Sequence, residues 1–127
     1  MSSRAALEKS LPLQRYYRVL QAGVDAYQDG RDLLPLLTDD FVFDGPIAGR
    51  MAGGTRFSYG VRGFIEAVRA IEFLQVIGTE SGAAVLYDAE LPSGTVRFSE
   101  FFEFDNDRIR ELRIQYNAAD YVAAGGR

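Results

Sequence analysis

The sequence predicts an α+β domain, with helices packed on one face of a curved antiparallel sheet. Two observations predict it. Apolar residues recur at spacings of three and four early in the chain, the period of an amphipathic helix. From Phe73 onward the pattern changes to β-branched and aromatic runs separated by Gly, Pro, Asn and Asp turns. Helices first and antiparallel strands afterwards points to a segregated α+β architecture. The chain has 127 residues, 47% of them apolar, which suits one domain over residues 1–127 with a single core. Residues 1–10 and 121–127 are expected to be flexible.

Ser10-Leu11-Pro12 opens the first helix, because Pro is tolerated in a first turn whose N–H groups lack intrahelical partners. Leu13, Tyr16, Tyr17, Leu20, Val24 and Tyr27 form its apolar stripe, and Asp29-Gly30 ends it. Asp32 caps a short second helix, Leu33 to Leu37, that stops near Thr38-Asp39-Asp40. Phe41-Val42-Phe43 is a short strand halted by Asp44-Gly45-Pro46. Residues 45–63 are glycine-rich and read as a surface loop or a mobile rim over a pocket. They contain no Lys followed by Ser or Thr, so they are not a phosphate-binding loop. A third helix is expected from about Tyr59 to Ala70, with Val61, Phe64, Ile65 and Val68 inward. Strands follow at 73–79, 83–91, 95–104 and 108–116, the last two joined by a turn at Asp105-Asn106-Asp107. Residues 117–127 read as a small-residue tail.

Composition removes much chemistry. The chain has no His and no Cys. That excludes a Ser-His-Asp triad, an imidazole base, a thiolate nucleophile and cysteine- or histidine-ligated metal. Any proton carrier must be a carboxylate, a tyrosine or the one lysine, Lys9. No EF-hand spacing or cofactor motif is present, so neither a metal nor a cofactor is expected. A net charge of −4 argues against nucleic acid as a partner. No apolar stretch approaches the roughly 18 residues of a membrane span. The polar first ten residues do not read as a secretory signal, and a cytoplasmic location is expected.

One residue is out of place. Along the strand from Thr95, the even positions read Val96, Phe98, Glu100, Phe102 and Phe104, and side chains alternate between faces. Glu100 therefore points into an aromatic wall. Burying an ionised carboxylate costs several kcal/mol or more without partners, and the usual response is a raised pKa. Pairing with an inward Arg, or escape to solvent at the sheet edge, is the alternative. Two further polar groups are candidates to share its cavity: Asp44, at the end of the first strand, and Tyr16, on the stripe of the first helix.

The stretch Leu36-Leu37-Thr38-Asp39-Asp40-Phe41-Val42-Phe43-Asp44-Gly45-Pro46, following a helix, a Gly and a short helix, resembles the NTF2-like superfamily. Ketosteroid isomerases, SnoaL-type polyketide cyclases, limonene epoxide hydrolases and scytalone dehydratases belong to it. The resemblance runs over about residues 12–120. It implies a cone: three N-terminal helices on a strongly curved mixed sheet enclosing an apolar pocket. Arg15-Tyr16 with Gly23 matches the isomerases' first-helix tyrosine, Asp44 their base, and Glu100, ahead of Phe104-Asp105, their neutral acid donor. Glu stands at 100 where the isomerases carry Asp, and Tyr116 falls where some carry Trp. The dehydratases need histidines, and the epoxide hydrolases need an Arg where this chain has Asp88 and an acid where it has Ile114.

What the resemblance implies is an isomerase-like enzyme. Asp44 removes a proton next to a carbonyl, while Tyr16 and a neutral Glu100 donate hydrogen bonds to the enolate oxygen. Leu20, Phe43, Phe64, Phe98, Phe102 and Tyr116 are the expected walls for a small apolar ligand with a carbonyl or hydroxyl head. A non-catalytic ligand-binding module, or a cyclase- or epoxide-hydrolase-like enzyme, is the alternative. Outward Phe101, among Arg97, Ser99, Glu103, Arg113 and Gln115, is the expected centre of a homodimer contact.

Overall fold

A computed structural model describes residues 2–127. Six strands form one sheet in the order β2-β1-β6-β5-β4-β3, curved but not closed, with helices against its inner face. The strands are β1 (Leu37–Gly45), β2 (Gly49–Ala52), β3 (Ala70–Gly78), β4 (Gly82–Leu91), β5 (Gly94–Asp105) and β6 (Arg108–Gln115). Helices are α1 (Ser3–Lys9), α2 (Leu11–Gln21), α3 (Val24–Tyr27), α4 (Gly54–Ala67) and α5 (Ala118–Ala123). β1 runs parallel to β6 and the other neighbours are antiparallel, so the sheet is mixed.

The first predicted helix is two segments. α2 carries Pro12 in its first turn and buries Leu13, Tyr16, Tyr17 and Leu20. It stops before Gly23, whose φ of +91° lies where an L side chain is strained. The chain resumes as the single-turn α3. The second predicted helix is only a 3₁₀ turn, Leu34–Leu36, and β1 begins directly after it. Pro35 cannot donate to a continuing helix, and Leu37 is drawn into register with Ile109 of β6.

β1 also extends past its predicted end. Pairing with β2, an element the glycine-rich stretch concealed, carries β1 through Asp44 to Gly45. α4 begins before its predicted start and ends at Ala67, because Val68 turns extended and the Arg69 N–H donates to the Glu90 carbonyl at 2.7 Å. Both expected flexible ends carry helices. Ser2 caps α1 through its side chain, and Asn117 caps α5 by accepting from the Asp120 N–H at 2.9 Å. Met1 lies outside the described residues.

The β5–β6 hairpin turns through Asn106 (φ 50°) and Asp107 (φ 66°), the left-handed pair that a two-residue hairpin loop requires. Register shifts beside Leu74 in β3 and between Glu103 and Phe104 in β5 bend the sheet. Among the described residues no helix is long and apolar enough to cross a membrane.

Candidate functional site

Between the helices and the concave sheet lies a cavity of about 190 Å³. Its walls are mainly aromatic and aliphatic. Leu20, Phe43, Phe64, Phe98 and Tyr116 line it, as the sequence predicts, joined by Phe57 and Ile114. The rings interlock: Phe43 with Phe57 at 4.8 Å, Phe98 with Tyr116 at 4.7 Å, Phe64 edge-on to Phe98 at 5.4 Å. Gly45 lets the Phe43 ring lie against its own strand, since a Cβ there would stand 2.9 Å from that ring. The 45–63 stretch is therefore wall as well as rim, contributing Gly45, Ile47, Ala48, Met51 and Phe57.

Glu100 closes this cavity at one end. It is 1% exposed. Its cross-strand neighbours, Val85 on β4 and Ile114 on β6, are apolar. The Tyr17 hydroxyl donates to Glu100 Oε1 at 2.5 Å, and the Tyr87 hydroxyl donates to Oε2 at 3.2 Å. Neither an arginine nor solvent relieves the carboxyl; two phenols do. Burial pushes its pKa up to about 7, and the two tyrosine hydrogen bonds hold it from rising further. Near neutral pH the group is thus divided between acid and carboxylate. Tyr16, Tyr17 and Tyr87 are all held well above the ordinary tyrosine range, by burial first and then by the Glu100 charge. They remain neutral donors.

Tyr16 also lines the cavity. Its ring is wedged edge-on against Tyr17 at 5.2 Å and Phe102 at 5.5 Å. Its hydroxyl is buried and has no hydrogen-bond partner among the described residues. A buried hydroxyl left in that state costs about 1–3 kcal/mol, so the fold holds an unused donor beside the carboxyl.

Two sequence expectations fail. Asp44 does not line the cavity. Its strand neighbours Phe43 and Gly45 do, so alternation turns Asp44 to the outer face. There it stands opposite Arg50 of β2 and Arg113 of β6. The sequence places Asp44 at the strand end, whereas pairing with β2 keeps it inside the strand. Phe102 is buried but packs beside Tyr16 and Tyr17 instead of lining the cavity.

Sequence reasoning missed three contributions. Tyr17 was legible only as core, although it follows Tyr16 on the same stripe. Tyr87 shares the inward face of β4 with Val85, Ala89 and Leu91, a pattern alternation could have exposed. The third is the end of the chain. Tyr121 and Arg127 line the cavity. The Tyr121 hydroxyl donates to the Arg127 carbonyl at 3.1 Å, and the Arg127 guanidinium meets Glu66 of α4 at 3.1 Å. Among the described residues no group of three or more acidic side chains is placed to hold a metal ion.

Fold and site together define an α+β domain built around an apolar cavity that ends in a carboxyl–tyrosine cluster. The chain belongs to the SnoaL-like domain family, matching it over residues 13–112, and its fold is NTF2-like. A protein from Kribbella flavida is similar at 21% identity, covering 89% of each chain with a TM-score of 0.75. A steroid delta-isomerase from Pseudomonas aeruginosa is similar at 18% identity, covering 98% of this chain and 87% of that one, with a TM-score of 0.69. An NTF2-like protein of unknown function from Cytophaga hutchinsonii is similar at 13% identity, covering 87% and 91%, with a TM-score of 0.67. At these identities the likeness is one of fold. No curated protein matches the sequence.

Proposed function

We propose that the chain is a proton-transfer enzyme of the keto–enol isomerase kind, in which Glu100 itself takes and returns the proton. The carrying observation is a carboxyl buried at the end of an apolar cavity with its pKa pushed up to about 7, beside the free Tyr16 hydroxyl. Such a group is a far better base than an ordinary carboxylate and is still ionised in part at neutral pH. Glu100 as carboxylate accepts a proton from the carbon next to a ligand carbonyl. Electrons move onto the carbonyl oxygen, where Tyr16 donates a hydrogen bond. The proton then returns from Glu100 to another carbon of the same enolate. Tyr17 and Tyr87 orient the carboxyl. This gives Glu100 the role the family resemblance reserved for Asp44. It also leaves Tyr16 as the oxyanion donor. Similarity to a steroid delta-isomerase supports the reaction class without specifying the substrate.

A second reading is ligand binding without turnover. It is favoured by one observation: each Glu100 oxygen already accepts a tyrosine hydroxyl. A carboxylate retains further lone-pair sites, so the two readings separate by experiment. Glu100→Gln is expected to lower kcat on a cyclic β,γ-enone by about 10²–10⁴-fold, the usual contribution of a positioned acid–base group. Asp44→Asn is expected to leave it unaltered. Equal turnover by Glu100→Gln and the unmodified protein would overturn the proton-transfer reading.

A further inference from the structure

We propose that the cavity takes a single-ring ligand bearing one oxygen, a phenol or cyclic enone, and excludes fused-ring molecules of steroid size. This rests on the proton-transfer reading only for the position of the oxygen. The size limit rests on the cavity.

A cavity of about 190 Å³ lies just above the roughly 150 Å³ apolar cavity that holds benzene. It lies below the roughly 300–1,000 Å³ of sites for drug-sized ligands. The inner end offers no room for extension. It is closed by Tyr16, Tyr87 and Glu100, all nearly inaccessible. The other is narrowed by Tyr121 and Arg127, tied to each other and to Glu66. Across its width, Phe43 and Phe98 are held by their own ring partners, Phe57 and Tyr116.

Polarity restricts the ligand as strongly as volume does. The closed end holds the unpartnered Tyr16 hydroxyl and the Glu100 carboxyl, and the walls between that end and Tyr121 and Arg127 are mainly rings and aliphatic side chains. One ligand oxygen at that end satisfies Tyr16. A second polar group along the ring would be buried against Phe43, Phe64 or Phe98 with nothing to bond, which binding penalises. Flat walls made of aromatic rings favour a flat ring between them.

The test is calorimetric binding of phenol, 4-methylphenol, 2-naphthol and the steroid phenol estradiol. In an open apolar groove affinity rises with each added ring, because each buries more apolar area. Here it is expected to peak at 4-methylphenol and to fall by roughly tenfold or more for 2-naphthol, with no estradiol binding, reversing that area trend. Phe43→Ala removes a half-buried wall ring and is expected to move the peak to 2-naphthol. Met51→Ala, on edge strand β2, serves the same purpose should Phe43→Ala fail to fold. Affinity rising steadily to estradiol, or no phenol bound at all, overturns the proposal. None of these phenols isomerises, so the series is independent of turnover. One-ring phenols bound but one-ring enones left unreacted would overturn the proton-transfer reading alone.

Discussion

Replacing Glu100 by Gln should make the protein less sensitive to pH, and by a calculable amount. In the unfolded chain this carboxyl titrates near its ordinary value of 4.5; in the fold it titrates at about 7. Between those values the unfolded state has lost the proton while the folded state still holds it. Stability therefore falls as pH rises through that window and is constant on either side. At about 1.4 kcal/mol per pH unit, the loss is about 3 kcal/mol. Gln keeps the shape, accepts from Tyr17 through its amide oxygen, and does not titrate. Glu100→Gln minus unmodified protein is the quantity to measure, by urea unfolding at intervals from pH 4 to 8.5. Asp88 and Glu111, whose pKa values their arginine partners lower, occur in both proteins and cancel. The difference should be flat near pH 4, shift by about 3 kcal/mol in favour of Gln between pH 4.5 and 7, and be flat again above. A difference independent of pH would refute the claim that Glu100 is buried with a displaced titration.

Three further outcomes are expected. Tyr17→Phe removes a hydrogen bond that stabilises the carboxylate, so the midpoint of the same difference curve should move upward by about one to two pH units; a downward shift would contradict the role given to that hydroxyl. Gly23→Ala meets no atom within 4 Å but must adopt φ +91°, so urea unfolding should show about 1–2 kcal/mol of destabilisation from backbone strain alone, and an unchanged midpoint would contradict it. On the outer sheet face, Phe101 is 46% and Ile77 58% exposed, in one cross-strand row through Ala84. We propose this row as a homodimer contact: light scattering should report a dimer for the unmodified protein and a monomer for Phe101→Arg, and two equal masses would refute it.

Much of the fold was legible because the signals are local. The β3 to β6 strands follow from alternation and turn residues, each decided within a few positions. The inward direction of Glu100 follows from the same stereochemistry, as does the outward direction of Phe101. Some deviations are local, as at Gly23, but others come from a distant partner. Asp44 reads as the end of a strand until β2 pairs with β1 and carries the alternation one residue further. Residues 117–127 look featureless, yet Asn117 caps α5 and the segment narrows the cavity.

The sequence by itself determined that a carboxyl would be forced into an aromatic layer, and that His and Cys could not serve it. Only the tertiary structure decided what surrounds that carboxyl. Tyr17 and Tyr87 lie 83 and 13 residues from Glu100, on a helix and a neighbouring strand. Whether the Tyr17 hydroxyl meets it depends on the rotation of α2 over a bent sheet, and whether Tyr87 does depends on the register of β4 against β5, neither of which periodicity encodes. The same packing leaves the Tyr16 hydroxyl buried without a partner and keeps Asp44 out of the cavity lining. Side-chain direction along a strand is a local property, whereas convergence of side chains is a property of how elements dock. For that reason Glu100 could be read from the chain and its proton partners could not.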